Sequence, residues 1–370
     1  MRTTKLGPNW FAAVMGTGIV ANAVALLPVT IPGLHAFAVA IWVLAAVLLV
    51  ALAVATLVQW TAHADAARGT VSDPAMAQFY GAPAMALMTV GAGALLIGKS
   101  LIGAHAALIT DGVLWSLGTI IGLATSAAIP LLLFTRQRIA REMTLPTWLM
   151  PIVPPMVSAA NGAALVAHLP AGQASLTLLL LCYSMFGLSL VASLVIISLV
   201  WARLAYDGPG PAATVPTFWI VLGPLGQSIT AANLLGAQAP HAIGAPYATA
   251  MRAMGVLYGV PIWGFAMLWL VIAATITTLT ARRSLPFTMT WWSFTFPVGT
   301  VVTGTSELAL HTHADVFTGA AVALYALLLV AWFAAAANTA RGVLNGRLLG
   351  SARAIARSSV PAPAVPGATA

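Results

Sequence analysis

Ten long apolar stretches, separated by short charged, proline-rich or glycine-rich breaks, dominate this chain of 370 residues. They run over residues 8–28, 35–60, 75–98, 107–134, 147–167, 174–202, 216–236, 247–280, 286–308 and 315–340. A helix needs about 20 apolar residues to cross a bilayer. Charged side chains make up 6% of the chain, against roughly 25% in soluble domains, which excludes a water-soluble globule. The sequence predicts an all-α polytopic membrane protein with ten transmembrane helices.

The positive charge of the chain follows from its topology. With ten spans both termini lie on one side, and that side holds thirteen of the fifteen Lys and Arg residues, whereas Lys99 and Arg252 fall on the other. The positive-inside rule then predicts a plasma (inner) membrane protein with cytoplasmic termini. The lipid bilayer is the expected partner, and the net charge of +8 requires no nucleic acid. We assign residues 1–341 to the transmembrane domain and 342–370 to a disordered, basic cytoplasmic tail.

A repeat of about 70 residues runs through the ten stretches. An aromatic residue opens every odd-numbered stretch, with steps of 69, 69, 70 and 73 residues. These residues are Trp10, Phe79, Trp148, Phe218 and Trp291. Each repeat contains one odd and one even stretch. The sequence therefore predicts five helical hairpins in a quasi-fivefold arrangement.

The odd and even stretches differ in composition. The odd ones contain glycines and prolines that predict helix kinks, at Gly16, Gly18, Pro154, Pro224, Gly226, Pro297 and Gly299. A proline inside a span frees a backbone carbonyl, which lipid does not tolerate unless protein or a water-filled cavity satisfies it. Even stretches such as residues 38–57 and 178–200 are continuous runs of Ala, Leu, Val and Ile. We therefore expect the odd helices to surround a central pore and the even helices to face lipid.

Two motifs give the chain a resemblance to a known family. Residues 8–11 read Pro-Asn-Trp-Phe and residues 15–20 read Met-Gly-Thr-Gly-Ile-Val, while residues 291–297 read Trp-Trp-Ser-Phe-Thr-Phe-Pro and are followed by Ser306 and Glu307. With its ten-span layout over residues 6–341, the chain resembles the tellurite-resistance and dicarboxylate transporter family, which includes malate permeases, sulfite efflux pumps and plant slow anion channels. The resemblance implies a homotrimer in which each protomer has its own pore, closed by a phenylalanine on the ninth helix. Phe296 matches that gate.

Helix geometry gives candidates for the pore wall. Phe296, Thr300, Thr303 and Glu307 stand at offsets 0, 4, 7 and 11 and share one face at about 100° per residue. The same repeat positions add Asn22, Gln227 and Thr230. On the third and fifth helices they give only Met88, Gly91, Val157 and Ala160, or Ser158 and Asn161 if the fifth helix is rotated by one residue. Core packing is the alternative role for Phe296, and interhelical hydrogen bonding is the alternative for the polar side chains.

Glu307 is the one carboxylate that we assign to the interior of a span, near its outer end. An acid inside a membrane is a functional candidate by default. Two roles are open for Glu307: a proton site, or a structural partner of Arg252.

The sequence predicts transport of small anions, foremost C4-dicarboxylates such as malate, through the central pore. Sulfite or tellurium-oxyanion efflux and a small-anion channel are the alternatives. The pore residues include no Lys or Arg, so hydroxyls, the Gln227 amide and backbone groups at the kinks would replace water around the ion.

An intramembrane metalloprotein is the alternative of a different class, because His311, His313 and Asp315 alternate in one outer connection. That connection has no second ligand pair, and the G-x-S-x-G, H-E-x-x-H and P-loop motifs do not occur in the sequence. We therefore expect no enzyme activity, no cofactor and no bound metal.

Overall fold

In the computed structural model, which describes residues 6–136 and 140–348, every regular element is helical. Ten principal helices are α1 (Phe11–Leu26), α2 (Leu34–Ala62), α3 (Gly81–Gly93), α4 (Ala104–Arg136), α5 (Pro154–Val166), α6 (Gln173–Asp207), α7 (Leu222–Ala242), α8 (Tyr247–Ala281), α9 (Phe296–Thr312) and α10 (Asp315–Leu344). Short helices Ala64–Ser72, Pro74–Ala77 and Lys99–Ile102 lie in the connections. The last helix extends beyond the domain boundary at residue 341, and residues 349–370 of the tail lie outside the described residues.

Eight helical segments in the described part of the chain are long and apolar enough to cross a membrane, so the chain is a multi-pass membrane protein. The two helices that fall short are α5, with 13 residues, and α9, with 17 residues. Each is preceded by a 3₁₀ segment, Pro146–Leu149 before α5 and Met289–Phe294 before α9.

The odd-numbered helices pack against one another in chain order. Helix α1 contacts α3, α3 contacts α5, α5 contacts α7, α7 contacts α9, and α9 contacts α1, so the contacts close a ring. Each even-numbered helix packs on the odd-numbered helix that precedes it. The ring is joined from outside by α10, where Trp332 Nε1 donates to Thr17 Oγ1 of α1 at 3.1 Å.

Burial separates the two sets of helices. Between 22% and 33% of the most apolar 18 residues are buried in α2, α4, α6, α8 and α10, against 61–94% in the segments that contain α1, α3 and α7. In α5 and α9, 10 of 13 and 14 of 17 residues are buried. The even helices expose large apolar side chains such as Val47, Val191 and Val330, which lipid accommodates and water does not.

The three prolines expected to kink the odd helices lie at helix starts and not inside continuous helices. Pro154 and Pro297 occupy the first turn of α5 and α9, and Pro224 is the third residue of α7, directly after the 3₁₀ segment Ala212–Val221. A proline in a first turn costs no hydrogen bond, because the N–H groups there have no intrahelical partner. The kinks expected at these prolines are therefore junctions at the starts of α-helices.

The expected kink glycines are contact points between helices. Helix α1 runs without interruption through Gly16 and Gly18. A side-chain carbon at Gly18 would lie 2.7 Å from Thr89 Cγ2, and one at Gly226 would lie 2.7 Å from the Thr300 carbonyl oxygen. Gly299 likewise leaves no room beside Ile19 of α1. Small residues allow such close approach of membrane helices, so these glycines fix the spacing of the ring.

We expect Gly226→Ala to destabilise the protein by about 1–3 kcal/mol, because the added methyl group meets the backbone of α9 and forces two helices apart. Thermal unfolding of the purified protein in detergent measures the change. The matched control is Gly264→Ala in α8, where an added carbon meets nothing within 4 Å. This control should melt at the wild-type temperature or slightly above it. Equal melting temperatures for the two variants would contradict the packing described here.

Candidate functional site

A cavity of about 160 Å³ lies where the five odd-numbered helices meet. Every one of them contributes to its wall, and α4 contributes Asp111. The polar wall residues are Asn22, Asp111, Asn161, Gln227, Thr230, Gln238 and Thr303. The other nine wall residues are apolar, and the described wall contains no Lys or Arg. The cavity is therefore weakly polar and carries no fixed positive charge.

The cavity occupies one half of the ring. Its wall runs from Ile19 to Leu26 on α1 and from Gln227 to Gln238 on α7, that is, towards the C-terminal ends of these helices. The N-terminal half of the ring is packed core. Phe296 belongs to this core and is 2% exposed. It precedes the wall residue Thr303 by seven positions, about 10 Å along a helix.

Four of the predicted pore residues, Asn22, Gln227, Thr230 and Thr303, line the cavity. Thr300 does not line it. The Thr300 Oγ1 lies 2.7 Å from the Pro297 carbonyl oxygen of its own helix and 3.2 Å from the Gly223 carbonyl oxygen of α7. Its single hydrogen is directed to these backbone carbonyls at the contact between α9 and α7. Phe296 and Glu307 also lie outside the cavity wall.

On helices α3 and α5, the residues that line the cavity differ from the expected ones. On α5 the wall contains both Ala160 and Asn161, so the helix lies between the two rotations considered. Val157 is packed in the core, and Ser158 Oγ donates to the sulfur of Met88 at 3.0 Å. On α3 and the segment after it the wall residues are Ala92, Leu95 and Leu96 in place of the expected Met88 and Gly91.

The expected position Gly91 faces α4, since a carbon added there would lie 3.0 Å from Asp111 Oδ1, and a π-helical turn follows α3 at Ala94–Gly98. Three successive carbonyls before this turn accept side-chain donors from three neighbouring helices. Asn161 Nδ2 donates to Met88 O at 3.1 Å, Asn22 Nδ2 to Thr89 O at 3.0 Å, and Trp42 Nε1 to Val90 O at 3.0 Å. The side-chain amides of the two wall asparagines, Asn22 and Asn161, thus each donate a hydrogen bond to a backbone carbonyl of α3.

Among the other polar wall residues, Thr230 and Thr303 are hydrogen-bonded, whereas in the described part of the chain Gln227 is not. The hydroxyl oxygens of Thr230 and Thr303 lie 2.8 Å apart, and each also lies within hydrogen-bond distance of a backbone carbonyl oxygen of its own helix. Because each hydroxyl has one hydrogen, one of the two donates to the other, which donates to its own helix. The Gln227 side chain is 4% exposed and forms no hydrogen bond within the described residues. Its amide N–H groups are therefore available to a molecule in the cavity.

Glu307 lies beside His311, one turn later in its own helix. The Oε2 atom of Glu307 lies 3.8 Å from Nδ1 of His311, and that nitrogen is bonded to the Glu307 backbone carbonyl at 2.8 Å. Of the two roles left open for Glu307, a structural partnership with Arg252 is not formed, because no ion pair among the described residues joins these two side chains. His311, His313 and Asp315 form no metal site there either: the described residues contain no group of three or more His, Cys, Asp or Glu side chains that could hold a metal ion.

Asp111 is the functional candidate that the sequence analysis missed. It lies inside the stretch 107–134, so the assignment of Glu307 as the one carboxylate within a span is wrong. The residue is 0% exposed, and neither carboxylate oxygen has a hydrogen-bond partner in the described part of the chain. Gly91 of α3 gives it room, since a side-chain carbon there would lie 3.0 Å from Oδ1. The rule that singled out Glu307 applies equally to Asp111.

Comparison with known proteins gives a consistent set of relatives. The family model described as SLAC1, voltage-dependent anion channel, matches residues 5–340. A sulfite efflux pump of Trichophyton rubrum is 29% identical over 316 residues, which cover 84% of this chain and 83% of the pump. A sulfite efflux pump of Arthroderma otae matches with the same identity and coverage. An uncharacterized transporter of Methanocaldococcus jannaschii is 28% identical over 343 residues, 92% of this chain and 94% of the transporter.

Cysteine labelling tests which end of the cavity is open to water. Because the native Cys182 is buried, it contributes little background. We expect a polar thiol reagent to modify Gln238→Cys fastest, Thr303→Cys about tenfold or more slowly, and the core control Leu225→Cys not at all, because thiol reactivity follows access. Labelling rates on the purified protein in detergent give the order. Equal rates at positions 238 and 225 would show that the cavity does not open at this end.

Proposed function

The chain belongs to the SLAC1 family of voltage-dependent anion channels and is therefore an anion transporter, and from this premise we propose that it moves small oxyanions of the sulfite class through the central cavity. The observation that carries the proposal is the position of Gln227. Its unpaired amide projects into a cavity whose wall includes all five odd-numbered helices. The relatives named as sulfite efflux pumps support this class of substrate.

The energetics favour a small anion of low charge. An ion entering a medium of low dielectric constant loses hydration worth of order 20 kcal/mol, which donors in the wall must replace. The described wall has no cation, and the amides of Gln227 and Gln238 are its only amide groups without a hydrogen bond among the described residues, so a dicarboxylate would find few donors there. Hydrogen sulfite, a monoanion, needs less compensation than a dianion. Transport of C4-dicarboxylates such as malate, and of tellurium oxyanions, stays a prediction.

The packed core in the N-terminal half of the ring, here called the closed half, is consistent with a gate in the anion path. The core at Phe296 separates the cavity from the N-terminal ends of the odd helices, so an anion cannot pass while this core is intact. An aromatic side chain blocks by bulk and by excluding water, and its rotation opens a path without breaking a bond. We assign this role to Phe296.

The proposal also includes the arrangement of the helices, the membrane topology and the oligomeric state. The ring contacts and the pairing of each even helix with the preceding odd helix support five hairpins around a central pore. The 3₁₀ segments before α5 and α9 lengthen these two elements towards full spans and bring the number of crossings to ten. Cytoplasmic termini in the plasma (inner) membrane rest on the distribution of Lys and Arg, and the homotrimer rests on family resemblance alone.

Anion flux into proteoliposomes tests the pathway. We expect the wild type to transport sulfite faster than malate, with chloride and nitrate as reference anions. Gln227→Leu should lower sulfite flux about tenfold to a hundredfold, because a hydrogen bond to a charged group contributes about 1.5–3 kcal/mol. Gln238→Leu, at the opening of the cavity, is the matched control and should have a smaller effect. Wild-type flux in the Gln227 variant would mean that the anion takes another route.

Removal of the proposed gate should increase flux. In Phe296→Ala the closed half of the ring loses its aromatic plug, so flux of every small anion should rise about tenfold or more if blocking accounts for at least about 1.4 kcal/mol of the barrier. The control is Phe317→Ala, a buried aromatic that stacks on Trp263 at 5.2 Å and lies outside the cavity wall. It should not raise flux. Loss of transport in Phe296→Ala with intact folding would assign Phe296 to core packing.

A further inference from the structure

Asp111 has an environment that the anion pathway does not by itself explain. It is the one titratable residue among the described residues of the cavity wall, it is fully buried, and both of its oxygens lack a partner. An ionised carboxylate in this position would repel any anion in the same cavity and would be unsolvated. A protonated carboxylic acid has neither problem, and it adds an O–H donor to a wall that has few donors.

The groups around Asp111 do not neutralise it. Helix α4 packs against α3, the π-helical turn Ala94–Gly98, the short helix Lys99–Ile102 and α5. The titratable residues on or next to these elements are Lys99 and His168, and α4 itself adds His105 and Arg136; all four are exposed. The Nδ1 atom of His168 is bonded to Ala164 O at 2.8 Å. None of these residues forms an ion pair with Asp111 within the described part of the chain.

We propose that Asp111 is a proton-binding site in the wall of the anion cavity, and that its proton is required for an anion to occupy the cavity. The proposal rests on the anion pathway proposed above and adds its regulation: anion and proton bind together. The coupling is reciprocal, so an anion in the cavity must raise the proton affinity of Asp111 by the same factor by which the proton raises anion affinity.

The pH dependence of flux follows from a single required proton. On the alkaline side of the Asp111 titration the protonated fraction falls about tenfold per pH unit, and wild-type flux should fall with it. Asp111→Asn has the shape and donor capacity of the protonated acid but cannot ionise. The ratio of flux in Asp111→Asn to flux in the wild type should therefore be near one at acidic pH and rise about tenfold per pH unit above it.

The flux experiment uses sulfite and full-length protein in proteoliposomes over a range of pH. Because variant and wild type meet the same sulfite solution, their ratio cancels the effect of pH on sulfite itself. The matched control is Asp315→Asn, an exposed carboxylate outside the cavity wall, which should keep the wild-type pH profile. A flat ratio for Asp111→Asn overturns the proposal. So does a loss of pH dependence in Glu307→Gln but not in Asp111→Asn, or a stimulation by Na⁺ at constant pH that Asp111→Asn abolishes.

A second measurement separates this proposal from the transport function. Infrared difference spectra of the reconstituted protein should show the C=O band of a protonated carboxyl group, absent from Asp111→Asn, and nitrate added at constant pH should strengthen the band. If the wild type shows this response but transports no anion, the transport function fails and the proton site stands. If anions are transported but the band is missing or does not respond to nitrate, the proton site is wrong and the pathway stands.

Discussion

The fold depends on a requirement of the membrane interior, where every backbone N–H and C=O group must find a partner within the protein. The even helices are continuous α-helices, although α4 and α8 contain Pro130 and Pro261 in their interior. The odd helices are preceded or followed by 3₁₀ segments and a π-helical turn, and carbonyl groups of these segments accept donors from neighbouring helices. Trp269 Nε1 of α8 donates to Phe218 O before α7 at 2.8 Å, and Ser189 Oγ of α6 donates to Ile152 O before α5 at 2.7 Å. Donors from the surrounding helices therefore stabilise these irregular inner segments.

The same requirement determines the chemistry of the cavity. Asn22 and Asn161 line it, but each donates to a carbonyl of α3, whereas the amides of Gln227 and Gln238 form no hydrogen bond among the described residues. A donor that stabilises the irregular backbone is not available to an anion. A cavity of this kind binds anions weakly, and weak binding permits rapid passage. In this setting one ionisable residue, Asp111, has a large influence on occupancy because few other polar groups compete with it.

Much of this architecture is readable from the sequence. Apolar length located the helices, and proline and glycine separated inner from outer ones, because both signals act within one helix. The repeat also placed Asn22, Gln227, Thr230 and Thr303 on the cavity wall. It failed on α3, where Gly91 faces Asp111 of α4, because the rotation of a helix about its axis depends on neighbours that the repeat does not describe. Thr300 lies between carbonyl oxygens of Pro297 in its own helix and Gly223 of α7, and the second of these contacts is not contained in a single-helix pattern.

The packing of α7 on α9 decides what kind of motion can open the closed half of the ring. These helices meet backbone to backbone, since a carbon added at Gly304 would lie 2.8 Å from Gly226 O and one at Gly226 meets Thr300. Separating them would break contacts along their length and expose polar backbone, a large cost in a close-packed interior. Phe296 is the first residue of α9, so no preceding α-helical turn confines its side chain. Rotation of one aromatic residue at a helix start is therefore the less costly way to open this path, and it leaves the ring that forms the cavity intact.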